Sequence, residues 1–125
     1  MSGSRFIEHG NKQILLQDFS NLTDVDEGLR VVAAARGFVA ALAARPGPPP
    51  QLLVLTTVAN SPFNPGLVEA LKEIAVHHKP YVRASAIVGL TAVTRLMHRI
   101  VTMFSGRVIR AFETREQALD WLVQQ

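Results

Sequence analysis

The stretch "QLLVLTTVANSPFNPGLVEALKEIAVHHKPYVRASAIVG", Gln51 to Gly89, decides the fold. "QLLVLTTV" is a continuous apolar run, the pattern of a strand covered on both faces. From about Pro65 to His78, Leu67, Val68, Leu71, Ile74 and Ala75 recur at helical spacing. Pro80 then prevents the helix from continuing. "YVRASAIVG" is another apolar strand. Strand, helix and strand in this order predict a parallel crossover unit.

Upstream, "RFIEH" and "KQILLQDF" flank Gly10-Asn11, a dipeptide expected in a two-residue hairpin loop. A helix follows in "NLTDVDEGLRVVAAARGFVAALAAR", where Thr23 or Asp24 is placed to cap. Val25, Leu29, Val32, Val39 and Leu42 form its apolar stripe. Gly37 costs this helix about 1 kcal/mol relative to alanine, so a tight packing contact is expected there. "PGPPP", Pro46 to Pro50, is a stiff connection into the next strand.

Downstream, "TAVTRLMHRIVTMFSG" reads as a helix capped by Thr91 and ended by Gly106. "RVIRAF" is a short strand. Thr114 and Gln117 have capping-box spacing at the start of a last helix, anchored by Ala118, Leu119, Trp121 and Leu122. The order is β β α β α β α β α. It predicts an α/β sandwich whose five-stranded, mainly parallel sheet opens with an antiparallel hairpin and is covered by helices.

The chain has 125 residues, which suits one domain able to bury a core unaided. It has no cysteine, so disulfides, thiolate metal sites and cysteine nucleophiles are excluded. No apolar run reaches the roughly 18 residues of a membrane span, and the N-terminus lacks the apolar core of a signal peptide. A cytoplasmic setting is expected. Net charge is +3. Its distribution is uneven: from Lys79 to Arg115 seven basic residues face the single acid Glu113. Such asymmetry fits either a solvated basic face or an anionic partner.

Three places hold candidate functional residues. Ser61, between Asn60 and Pro62, has two readings: a turn or helix cap, with Pro62 as first helical residue, or a switch or ligand contact. Asn64-Pro65 repeats the cap signal three residues later. In "VGLTAVTR" the chain passes from strand to helix. Free N–H groups near Gly89 and Thr91, with Arg95 close by, could receive an anion. Open α/β sheets bind ligands at this end of their strands, beside the Ser61 loop. The third place is the helix that follows. Leu90, Val93, Met97, Ile100, Val101 and Phe104 form its apolar face, widened by Leu96 and Met103. Arg95, His98, Arg99 and Thr102 lie opposite. The width and the methionines leave room for a protein partner, a lipid surface or a second copy of the chain.

Other chemistry finds little footing. His77 and His78 diverge by roughly 100° on their helix, and without matched carboxylates no metal site is expected. G-x-S-x-G is absent, and no motif calls for a cofactor. Tyr81, Phe104, Phe112 and Trp121 read as core residues, which leaves few aromatics for nucleic acid.

"KPYV" (Lys79–Val82), "SAIVGLT" (Ser85–Thr91), "FSGR" (Phe104–Arg107) and "AFETREQALDWL" (Ala111–Leu122) together resemble the small STAS/SEC14-type domains, also called SpoIIAA-like proteins. The opening "IEHGNKQILLQDFSNL" fits more loosely. The resemblance implies a STAS-like fold. In the anti-sigma-factor antagonists of that group, a partner kinase phosphorylates a serine that falls at Asn60 or Ser61 here. This chain carries Ala59-Asn60-Ser61-Pro62 where the antagonists have Asp-Ser-Ser-Gly or a similar run.

The combined expectation is a non-enzymatic interaction or regulatory module. Its alternative is a binder of a small anionic or lipid-like ligand at the strand-end loops. Asn60, Ser61, Gly89, Thr91, Arg95 and Arg99 are the candidate contacts.

Overall fold

The computed structural model describes residues 3–61 and 64–125, with Val93 by its backbone alone. Strand β1 (Gly3–His9) turns back into β2 (Lys12–Asp18) through Gly10 and Asn11, whose φ angles of 55° and 64° are both left-handed. A two-residue turn of this hand matches the twist of the strands, which is why Asn-Gly-type pairs favour it. Helix α1 (Val25–Ala43) is capped by Asp24, whose carboxylate accepts from the Glu27 N–H.

Strand β3 (Leu52–Thr57) leads to α2 (Pro65–His78), capped by Asn64 with Pro65 in its first turn. Ser61 is therefore not the cap of this helix, and Pro62 lies outside the described residues. A 3-10 turn at Lys79–Tyr81 absorbs Pro80 and releases the chain into β4 (Val82–Val88). Helix α3 (Ala92–Ser105) begins with a Thr91–Thr94 capping box and ends at Gly106, φ 70°. Strand β5 (Ile109–Phe112) and α4 (Arg115–Leu122) finish the chain, α4 opening on the Thr114–Gln117 capping box.

The sheet order is β1-β2-β3-β4-β5, antiparallel at the first pair and parallel thereafter. The fold is thus the α/β arrangement that the element order implied. Alternation along the strands sorts side chains onto two faces. Ile14, Leu16, Leu53, Leu55, Ala86 and Val88 pack against Ala118, Leu119 and Leu122 of α4. Leu15, Val54 and Ile87 turn the other way, toward the α1 and α2 side. Burying each large apolar chain stabilises the fold by about 1.5–3 kcal/mol.

Two packing expectations are revised. Gly37 is exposed, with nothing within 4 Å of where a Cβ would stand. The close approach in α1 occurs instead at Gly28, where a Cβ would meet Leu67 of α2 at 3.2 Å. In α3, Met97 and Val101 are buried as expected, but Phe104 is 63% exposed and lies under Lys72, whose Nζ is 4.2 Å from the ring centroid. Tyr81, Phe112 and Trp121 are partly buried against the two faces of the sheet.

Candidate functional site

Asn60 takes a left-handed φ of 58°, and its Nδ2 donates to Oδ1 of Asn21 at 3.0 Å. The Ser61 hydroxyl donates to the Phe19 carbonyl. Gly89, φ 88°, presses against Ala59, so a Cβ there would stand 2.8 Å from the Ala59 nitrogen. These contacts bring the β2, β3 and β4 ends together, with Thr91 capping α3 just beyond. The capping box engages the N–H groups of Thr91 and Thr94 with side-chain oxygens.

Charge in this cluster is negative. Asp18 accepts from the Ser20 hydroxyl and N–H and from the Thr57 hydroxyl. Burial pushes its pKa up, but the hydrogen bonds from Ser20 and Thr57 outweigh burial and hold it below the ordinary aspartate value. Arg95 and Arg99 stand exposed on the outer side of α3. Of the residues proposed from sequence, Asn60, Ser61 and Gly89 meet at one end of the sheet, while the two arginines mark a separate outer surface.

A different feature lies beneath α2 and α3. A cavity of ≈ 60 Å³ opens between these helices and the sheet face, walled mainly by Phe19, Val58, Leu71, Ile87, Met97 and Val101. Strand alternation puts Gln17, Thr56 and Ser85 on this same face. From above, α2 contributes His78, and the segment after α3 contributes Arg107. Gln17 Nε2 donates to His78 Nδ1 at 3.3 Å, and the Thr56 hydroxyl reaches Gln17 Oε1 at 3.5 Å. Arg107 donates to the Ser85 hydroxyl, and its own N–H donates to Ser105 Oγ at 3.2 Å. His98, expected opposite the apolar face of α3, lines this cavity, with Nε2 2.7 Å from the Ile109 carbonyl.

The electrostatics are unusual for an apolar pocket. His78 is fully buried (0% exposed), and its Nε2 has no partner. Since Nδ1 accepts from Gln17, the ring proton belongs on Nε2, which is then a donor without an acceptor. Burial, with the Arg107, His77 and Arg36 charges behind it, lowers the His78 pKa to about 3, so the ring is neutral at physiological pH. Burial also lowers the Arg107 pKa to about 10, which leaves it cationic there. Among the described residues, no carboxylate lies within ion-pair reach of Arg107.

No family model, no curated protein and no solved structure matches this chain.

The sequence reading did not single out Gln17, His78, Ser85 and Arg107 as one site. Two of them left a trace: Gln17 and Ser85 interrupt apolar strands at positions that alternation assigns to a buried face. Among the described residues, no three His, Asp or Glu side chains converge to hold a metal ion. No described helix is long and apolar enough to cross a membrane.

Proposed function

We propose that the chain is a non-enzymatic interaction module of STAS-like type, with the outer face of α3 as its partner-facing surface. The carrying observation is the exposure of Leu96 (55%) and Met103 (71%) on a helix that already packs Met97 and Val101 inward. Val108, 84% exposed, lies just beyond the helix end. Apolar groups of this size left in water are a common mark of a docking surface. Ala92, Leu96, Arg99 and Met103 follow one another at helical spacing, with Arg95 beside them.

Chemistry narrows the partner. Helix α3 carries no acidic residue, and Arg95 and Arg99 border the exposed stripe of Leu96 and Met103 along one side. A two-fold dimer centred on this stripe would set arginines against their own copies, which is unfavourable. Two arginines are also a weak draw for a membrane, at about 1 kcal/mol each near an anionic surface. A protein partner presenting an apolar groove with an acidic rim fits best. The hydroxyls at the strand ends and in the cavity support a non-enzymatic reading. Ser61 is engaged with a carbonyl, Thr91 with a helix cap and Ser85 with Arg107.

Affinity capture with the whole chain tests this. A stoichiometric partner should be retained by the wild-type chain and lost by both L96D/M103D and R95E/R99E. Equal retention by both variants overturns the reading. So does a stable homodimer in light scattering that L96D/M103D dissolves, or binding to anionic vesicles with no protein partner.

A further inference from the structure

The cavity under α3 goes beyond that reading, because its polar groups are mismatched in a specific sense. Three of their acceptor atoms are engaged. Gln17 Oε1 takes the Thr56 hydroxyl, His78 Nδ1 takes the Gln17 amide, and Ser85 Oγ takes Arg107. The donors are in surplus. His78 Nε2 is unpartnered, and the guanidinium offers five N–H groups in a fork of which Ser85 meets part. A buried donor such as His78 Nε2 is costly without an acceptor, and the half-buried Arg107 adds a cation beside it. The mismatch is relieved by a group that only accepts, and an ionised carboxylate is such a group.

Charge and size then select among anions. One cation, Arg107, lines the cavity, so one negative charge is matched and a second would stay buried without compensation. The volume of ≈ 60 Å³ holds about four to six water-sized groups at roughly 10–15 Å³ each, which suits the five non-hydrogen atoms of a three-carbon carboxylate. Drug-sized ligands and lipids need roughly 300 Å³ or more. The walls beyond the polar groups are apolar, formed by Leu71, Ile87, Met97 and Val101. They suit a short alkyl tail rather than a sugar or a base.

We propose that this cavity binds a short-chain monocarboxylate, with the carboxylate accepting from Arg107 and from Nε2–H of His78, and the alkyl end against Ile87, Met97 and Val101. Gln17 and Ser85 act as positioning residues. Gln17 holds the imidazole with its proton on Nε2, and Ser85 holds the guanidinium fork over the sheet. This places an anion beneath α3 and not at the strand-end loops, the alternative site offered by the sequence, where the Asp18 carboxylate is held ionised.

An NMR titration of the full chain decides the matter. Sodium propionate should produce saturable shifts centred on the Arg107 side chain and the His78 ring. Propionamide, neutral and nearly isosteric, should produce none. Inorganic phosphate should not saturate the site. R107Q should weaken propionate binding at least about tenfold, the lower end for a lost hydrogen bond to a charged group. S85A should weaken it less while leaving the charge in place. The proposal is overturned by an absence of saturation, by equal response to the amide, by preference for phosphate, or by R107Q binding unchanged. Should R107Q fail to fold, the carboxylate-against-amide comparison on the unaltered chain still decides.

Discussion

Gln17 Nε2 lies 3.3 Å from Nδ1 of His78, joining β2 to the last turn of α2 across 61 residues of chain. This contact favours a neutral ring, and burial does the same, since a second proton would have to be carried in the interior. The folded pKa is near 3, while an unfolded histidine titrates near 6.5. The sign follows directly. Above the unfolded value neither state binds the proton, and the full stability is present. Below it the unfolded chain takes up a proton that the folded chain refuses, so stability falls as pH drops. Between pH 7 and pH 5 this residue alone should remove about 2 kcal/mol. His77, also lowered by burial and by Arg36, acts in the same direction. Urea denaturation at the two pH values measures the loss, and His78→Gln should abolish most of the difference. A wild-type chain equally stable at both would sink the idea.

Two glycines should respond to alanine in opposite ways. At Gly89, φ is 88° and the new Cβ would meet the Ala59 nitrogen at 2.8 Å. The backbone cannot yield there without separating the β3 and β4 ends, so a loss of about 1–3 kcal/mol is expected. At Gly37 the backbone is helical and the surroundings are open, so Gly37→Ala should stabilise by about 0.5–1 kcal/mol. Denaturant midpoints compare the two directly. Shifts of the same sign would refute the account.

That contrast shows where the sequence was legible. The hairpin could be read because Gly10-Asn11 meets a demand that few residue pairs meet. Helix α4 could be read because Thr114 and Gln117 satisfy one another's local backbone. The parallel sheet was visible in runs too apolar to face water. Gly37 misled because a helical glycine records permission for close approach, not its occurrence, and the neighbouring helix met Gly28 instead. The cavity was harder still. Arg107 follows a helix-ending glycine, where a cation ordinarily sits in solvent, and nothing local says that Ser85 will receive it. Gln17 and His78 carry meaning only once β2 and α2 are side by side.

Phe104 and Leu122 separate real core from apparent core. Leu122 is fully buried among Ile14, Leu55 and the α4 anchors, so Leu122→Ala should cost about 2–5 kcal/mol. Phe104 reads as core by periodicity, and a core phenylalanine cut to alanine costs about 3–5 kcal/mol. It is 63% exposed and holds only one face under Lys72. Phe104→Ala should therefore cost about 1 kcal/mol or less, mostly the lost cation–π contact. Chemical denaturation distinguishes these cases, and a loss near that of Leu122→Ala would mean that α3 packs Phe104 inward in solution.

Ser61 gives the last test, because its hydroxyl proton is its working part. That proton goes to the Phe19 carbonyl and ties the loop after β3 to the end of β2. Ser61→Ala leaves the carbonyl without this donor and should cost about 1 kcal/mol. Ser61→Asp removes the donor and also sets a carboxylate against the carbonyl, so a larger loss is expected. A phosphoryl group at Ser61 would act in the same sense, replacing a donor by charged acceptors against the Phe19 carbonyl. Hydrogen exchange of the Phe19 and Asn21 amides, which bond the Thr57 and Ala59 carbonyls at 2.8 Å, reports whether the two loops part. Faster exchange in Ser61→Asp than in Ser61→Ala is the expected order. Equal exchange in both variants and the wild type would remove Ser61 as a conformational control point.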